Sequence, residues 1–118
     1  MTDELNWISA SKDFIEADVI RWIEAIWSDK KRGRGKNARN VLIGKQQVTG
    51  QIIEIDDKFV HVKVIDAVMV EKDGAKPSHL RIEGDVIRKM PATLLKGELE
   101  RLPWSDEENR AHILREKK

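Results

Sequence analysis

One four-residue phrase recurs along the chain: an aliphatic residue, Glu, any residue and Asp. It occurs at residues 15–18, 53–56, 70–73 and 82–85. Two of the copies continue in the same way, as Asp-Val-Ile-Arg at 18–21 and again at 85–88. A polar corner followed by a β-branched run is typical of the start of a strand. The copies are unevenly spaced, which excludes a solenoid, so the phrase predicts a small sheet that turns its corners in one recurring way.

Residues 14–27 carry two competing patterns. Isoleucine, valine and tryptophan crowd the second half of the segment, and such residues favour a pleated sheet. Apolar residues also recur at helical spacing, and Asp13 with Glu16 would form a capping box. We favour a strand over 18–27. The alternative is one helix over 14–28 packed on a smaller barrel.

The sheet pattern is strongest from residue 41 to residue 89. After a turn at 56–58, the alternation places Val60, Val62 and Val64 on the inner face of a strand, with His61 and Lys63 outside. Continued without interruption, the same alternation turns Asp66 inward. A bulge near residues 65–67 or a satisfied buried carboxylate would resolve that conflict.

Residues 44–64 also match a known pattern. The segment contains Gly50-Gln51-Ile52, then Asp56-Asp57 and an alternating Phe-Val-His-Val-Lys-Val strand. This order of residues resembles the first Sm motif of Sm-like RNA-binding barrels. Ile87-Arg88 resembles the arginine of the second motif. The base-contacting Asn of that family is absent, with Val60 or His61 near its place. The resemblance therefore implies only the shape of the fold, which many SH3-like barrels share.

The C-terminal residues predict a helix over about 105–116. Ser105 and Glu108 fit a capping box, and basic residues follow at the far end, where the helix dipole favours them. We expect it to dock through Trp104, Ala111 and Leu114. The chain of 118 residues is thus expected to form one mainly β (α+β) domain over residues 1–118, a bent antiparallel sheet or barrel of five to six strands closed by this helix.

Composition limits the functional classes. The chain has no cysteine, which excludes disulfides and thiolate chemistry and is compatible with a reducing cytoplasm. Its start is acidic with no apolar signal region, and no apolar run approaches the roughly 20 residues of a membrane span. We therefore expect a cytoplasmic protein without membrane contact.

The sharpest charge asymmetry lies in residues 28–40, which we predict to be an exposed loop. Residues 1–29 carry seven acids and two bases, whereas residues 30–39 carry six bases and no acid. Glycines between cations let a backbone approach phosphates. The candidate contacts to nucleic acid are the six cations of this loop, one lysine adjacent to it and one tryptophan for base stacking. They are Lys30, Lys31, Arg32, Arg34, Lys36 and Arg39, then Lys45, and Trp27. The plainer interpretations are a solvated basic loop held near the acidic N-terminal segment, and a tryptophan used in packing.

Other chemistry has little support in the sequence. The three histidines lack metal-ligand spacing, no serine lies in a nucleophile turn, and no phosphate-binding glycine fingerprint occurs. Carboxylates of the recurring phrase gathered at one rim could hold Mg²⁺ or Ca²⁺, but charged strand ends that keep edges soluble are the simpler explanation. We expect no metal, no cofactor and no catalysis.

Two functions remain. The first is a non-catalytic module that binds RNA or DNA through loop 30–39. The second is a protein–protein adaptor or self-assembling barrel that uses exposed strand edges, the Trp-rich first strand and the acidic N-terminal arm.

Overall fold

The computed structural model describes residues 7–11, 14–28 and 41–116. These residues form one antiparallel sheet, whose strands are β1 (Ile8–Ser9), β2 (Val19–Trp27), β3 (Leu42–Ile55), β4 (Val60–Lys72), β5 (Val86–Lys89) and β6 (Glu100–Arg101). They also form two α-helices, α1 (Pro91–Lys96) and α2 (Glu107–Glu116), and a 3₁₀ turn at Pro77–His79. The spatial strand order is β1-β6-β2-β3-β4-β5.

The predicted mainly β class with a C-terminal helix is confirmed. Within the described residues the sheet is open, because β1 and β5 are edges that do not pair with each other. It is therefore a bent sheet and not a closed barrel. The predicted division of the chain into one domain over residues 1–118 stays a prediction.

Strand β2 decides between the two patterns of the N-terminal segment. Residues 19–27 are extended and pair with β3 over nearly their whole length. Ile20 and Trp22 are buried on the same face, as the period of two in a strand requires. The strand prediction for 18–27 is confirmed, and the alternative of a helix over 14–28 is wrong because the β-branched and aromatic side chains pack better on a pleated surface.

The first copy of the recurring phrase forms the corner before β2. Asp18 N donates to Ile15 O at 3.1 Å, and Ala17 between them has a φ of 77°. The corner is fixed to β3 because Ala17 N donates to Ile52 O at 2.8 Å and Ile52 N donates to Asp18 O at 2.9 Å. A tight turn thus delivers the chain directly into the β-branched run.

The last copy repeats this arrangement before β5. Asp85 N donates to Ile82 O at 3.1 Å, and Gly84 has a φ of 93°. Gly84 N donates to Val64 O and Val64 N donates to Asp85 O, each at 2.8 Å. The two copies therefore build the same turn, docked in the same way on different strands, as the repeat predicted.

Strand β4 resolves the conflict at Asp66 with a bulge. The pairing with β3 shifts register between Gly50, opposite Val64, and Thr49, opposite Asp66, so that Ile65 is the extra residue. Asp66 is exposed in consequence. The predicted bulge near 65–67 is confirmed.

The bulge also changes which later residues of β4 face the core. Beyond it, Ala67 and Met69 are half-buried, opposite the buried Val48 and Gln46. Val68, like other alternate residues in this part of β4, is exposed. The alternation of the first half of β4 therefore does not continue past this point.

The core lies on the face of the sheet where Val60, Val62 and Val64 alternate, each at most 1% exposed. It is completed by residues from β2, β3, α1 and the neighbouring loops, namely Phe14, Ile20, Trp22, Val48, Ile52, Leu94 and Leu99. The predicted inner face of β4 is therefore confirmed as far as the bulge.

We predict that Val62→Ala lowers the free energy of unfolding by about 1–3 kcal/mol, through lost burial and the cavity that it leaves. Val62 is fully buried and packs directly on Gly50, where a Cβ would lie only 2.3 Å from Val62 Cγ1. Urea denaturation measures the effect, with the exposed neighbour Lys63→Ala as control. A loss below a few tenths of a kcal/mol would mean that the inner and outer faces are exchanged in solution.

Helix α2 is attached to the sheet through a buried ion pair. Arg110 donates from Nε and Nη2 to the two carboxylate oxygens of Asp18, at 2.9 and 2.7 Å. Trp104 Nε1 donates to the same carboxylate at 2.8 Å. The predicted contact through Trp104 is therefore present, but the buried residue of the helix is Arg110, while Ala111 and Leu114 are only half-buried.

A second carboxylate fixes the first turn of α2. Glu107 accepts hydrogen bonds from both terminal nitrogens of Arg101, at 3.1 and 2.9 Å, and from Trp104 N at 2.6 Å. The Arg101 hydrogen bonds, followed by the Trp104 backbone bond, lower the pKa of Glu107 to about 2. The approach to the helix is thus fixed by ionic contacts more than by apolar packing.

The N-terminal cap of α2 differs from the sequence prediction. Asp106 Oδ1 accepts from Asn109 N at 3.0 Å, so Asp106 caps a helix that begins at Glu107. The Ser105–Glu108 capping box is wrong by one residue.

We expect Asp106→Ala to lower the free energy of unfolding by about 1 kcal/mol and Ser105→Ala to leave it nearly unchanged. Melting temperatures of the two variants test this, and the reverse order would restore Ser105 as the cap.

Candidate functional site

The predicted binding residues fall into two groups. The first group lies outside the described residues and consists of Lys30, Lys31, Arg32, Arg34, Lys36 and Arg39. The predicted loop 28–40 lies outside them too, except for Ser28. Trp27 and Lys45 lie in β2 and β3, on the two strands that this segment connects. The structure therefore describes the base from which the basic segment starts and to which it returns.

That base is closed by a pair of hydrogen bonds. Ser28 N donates to Val41 O at 2.8 Å, and Val41 N donates to Ser28 Oγ at 2.9 Å. The two ends of segment 29–40 therefore meet at one end of the sheet.

Trp27 is the most exposed tryptophan of the described residues, with 55% of its surface accessible. It pairs with Leu42 across a register shift at the end of β2. Lys45 is half-buried and pairs with Ala25, two residues before Trp27. Both predicted residues thus lie near the base of the segment.

Two adjoining pockets border Trp27, with volumes of about 450 and 350 Å³. They share Glu24, Ala25, Trp27 and Arg81, and we call the combined depression the Trp27 groove. Lys89 and Lys96 line the smaller pocket, and His79 and Asp85 line the larger one. The groove is polar, contains several cations and opens beside the start of the basic segment.

Glu24 organises the floor of this groove. Its Oε1 accepts from Trp22 Nε1 at 2.9 Å and lies 3.1 Å from Lys89 Nζ, while its Oε2 accepts from Arg81 Nε at 2.8 Å. Burial by itself raises the pKa of Glu24, but the Trp22 hydrogen bond and the charges of Lys89 and Arg81 outweigh it and leave the pKa lowered. Glu24 is therefore an anion that holds two cations in place.

The sequence pattern of β2 indicates this cluster around Glu24, although Glu24 was not among the predicted site residues. The buried face of β2 runs through Ile20, Trp22 and Ile26, and the period of two places Glu24 between them on the same face. A carboxylate in that register requires partners. Nothing local to β2 indicates that the partners are Arg81 and Lys89, because they are brought in by the loop before β5 and by β5 itself.

A second group of titratable side chains lies at the opposite end of β3. Glu54, Asp56 and His61 bring their ligand atoms within 4.8 Å of one another. Asp56 Oδ1 accepts from Lys58 N at 2.9 Å and Phe59 N at 2.7 Å, and Oδ2 lies 2.7 Å from His61 Nε2. The His61 hydrogen bond, followed by the two backbone bonds, lowers the pKa of Asp56 to about 2. These contacts show that Asp56 stabilises the β3–β4 turn. We assign no metal ion to this group of side chains.

No protein-family model matches this chain, and it matches no curated protein and no solved structure. Among the described residues, no helix has the length and apolar character needed to span a membrane.

Proposed function

We propose that this protein is a non-catalytic nucleic-acid-binding module whose basic loop 30–39 contacts phosphates, with Trp27 and Lys45 beside it. The observation that carries the proposal is the closed base at Ser28 and Val41. It ties both ends of segment 29–40, which carries six bases and one acid, Asp29, to one end of the sheet. Cations collected in this way release counterions when they meet a phosphate backbone, which favours binding whatever the base sequence.

The open sheet suits this use, and its curvature supports the SH3-like or Sm-like shape that we include in the proposal. Lys89 at the end of β5 reaches Glu24 on β2 at 3.1 Å, although β3 and β4 lie between these strands. The sheet is therefore strongly curled. Curled small sheets of this kind present loops at one end and bind oligonucleotides in several folds.

The experiment that tests the proposal is a binding assay against single- and double-stranded RNA and DNA at about 50 and 200 mM salt. We expect measurable binding to at least one form at the lower salt and a steep loss at the higher salt. Absence of binding to all four at low salt would reject the proposal.

A second function is favoured by one further observation. Strand β5 pairs with β4 only over Val60–Lys63, and the β4 residues beyond Val64 have no partner on that side within the described part of the chain. This open edge carries Ile65, Val68 and Val70, which are 45–51% exposed. An exposed apolar edge can accept another strand, so the second candidate is a self-assembling or adaptor protein.

The two candidates differ in how they respond to salt. Light scattering at increasing salt should show a stable oligomer if the β4 edge pairs, because apolar association does not weaken with salt. Val68→Lys should then give a monomer. A monomer at all concentrations would remove the self-assembly candidate.

A further inference from the structure

We propose that the Trp27 groove binds one unpaired nucleotide of a single-stranded nucleic acid, with the base stacked on the Trp27 indole and a phosphate held by Arg81. This inference rests on the proposed function and adds its substrate class, which is single strand in preference to duplex. It also adds Arg81, which lies far from the basic loop in the sequence, to the binding residues.

The stacking surface is Trp27. A tryptophan that is 55% exposed leaves much of a large apolar side chain in water. It borders both pockets of the groove, so one unpaired base has room beside it. Every base has a π-face that stacks on an aromatic side chain, so such a contact does not depend on base identity.

The phosphate contact is Arg81. Its Nε is fixed on Glu24, which is itself held by Trp22 and Lys89. The guanidinium is therefore oriented before any ligand arrives, and its side chain remains 34% exposed. Among the described residues its two terminal nitrogens meet no acceptor, which leaves a planar edge with two donors for a bidentate contact to phosphate.

The size and position of the groove favour a single strand. Its larger pocket has a volume of about 450 Å³, within the range of roughly 300–1,000 Å³ typical of small-ligand sites. A duplex keeps its bases stacked inside and has none to place there without unpairing. Trp27 directly precedes Ser28, so the groove lies next to the point where the basic segment leaves the sheet.

The test compares affinities for a single-stranded oligonucleotide and for the corresponding duplex, using four variants whose melting temperatures are also recorded. Trp27→Ala should weaken single-strand binding by about 5- to 150-fold and leave duplex binding nearly unchanged. Trp27→Phe, which keeps an aromatic ring, should restore most of the lost affinity. Arg81→Lys should weaken single-strand binding by at least about 5-fold, because lysine keeps the positive charge but cannot make the bidentate contact of a guanidinium. Lys58→Ala, an exposed cation at the opposite end of β3, is the control and should bind as wild type does.

A second measurement covers the case in which a variant is destabilised. When the single strand is added to wild-type protein, the Trp27 Nε1 and Arg81 Nε NMR signals should shift, whereas the duplex should leave them in place. A mononucleotide that shifts both signals as strongly as the oligonucleotide would identify a free-nucleotide site and overturn the single-strand assignment.

The inference and the proposed function fail in different ways. If Ala at Lys31, Arg32, Arg34 and Lys36 abolishes binding while Trp27→Ala and Arg81→Lys bind single strands as wild type does, the groove is not a nucleotide site and the loop proposal stands. If wild-type protein binds no nucleic acid, both are overturned.

Discussion

Replacing Asp18 by Ala should lower the free energy of unfolding by about 3–5 kcal/mol, because it removes one partner of a buried ion pair. Asp18 is fully buried and Arg110 is only 3% exposed. The change also removes the acceptor of Trp104 Nε1 and of Ile15 N, which donates to Asp18 Oδ2 at 2.9 Å. The two Arg110 hydrogen bonds join the first corner of the sheet to helix α2, the Trp104 bond holds the approach to that helix, and the Ile15 bond closes the corner itself.

Chemical denaturation followed by circular dichroism measures the loss. The matched control is Asp57→Ala, since Asp57 is an exposed carboxylate in the β3–β4 turn, and its unfolding free energy should change by less than about 0.5 kcal/mol. A cost below about 1 kcal/mol for Asp18→Ala would mean that the ion pair is solvated in solution and that α2 is not docked as described.

Trp22→Ala should lower the free energy of unfolding by about 3–5 kcal/mol, which is typical of removing a buried aromatic side chain. Trp22 is 1% exposed and is the largest of the fully buried side chains. Its Nε1 also holds Glu24, so the change removes packing and a donor to a charged acceptor together. Denaturation curves of the wild type and the variant give the difference.

The chain contains its own control five residues away on the same strand. Trp27→Ala removes the same side chain from a site that is 55% exposed, and it should cost roughly half as much or less, because more than half of that surface is already in water. Equal costs at the two positions would show that Trp27 is a packing residue. The stacking assignment would then lose its physical basis.

The local elements of this fold follow from short-range sequence features. Alternation predicted the inner face of β4 and located the bulge, because an inward Asp66 conflicts with a buried strand. The recurring phrase predicted matching corners before β2 and β5. Its other two copies, at 53–56 and 70–73, end β3 and β4, so all four lie where a strand begins or ends.

The long-range contacts could not be predicted in the same way. Asp18 and Arg110 are 92 residues apart and lie on a corner and a helix whose approach is not encoded by either segment alone. The sequence favours Ala111 and Leu114 as the docking residues of α2 because they are apolar. A buried arginine such as Arg110 can be recognised only when its partner is known. Arg81 and Lys89 are brought to Glu24 by the curl of the sheet, which hydrophobic periodicity does not report.

The site was predicted only in part, for a related reason. Clustered like charges are visible in any sequence, so loop 30–39 is a prediction from sequence alone, and it stays a prediction. Trp27 was selected because it borders that loop, and the structure adds that it is exposed. The groove beside it depends on residues from β2, the loop before β5 and α1, and no local pattern joins them.

The most direct test of the nucleic-acid proposal is the slope of log affinity against log salt, measured for the wild type and for the variant with Ala at Lys31, Arg32, Arg34 and Lys36. The wild type should show a steep negative slope, of up to about 0.9 for each phosphate contact on duplex DNA. The variant should fold normally, bind all sequences more weakly and lose up to about one unit of slope per contact removed. An unchanged slope, or a wild type that binds nothing at low salt, would contradict the proposal.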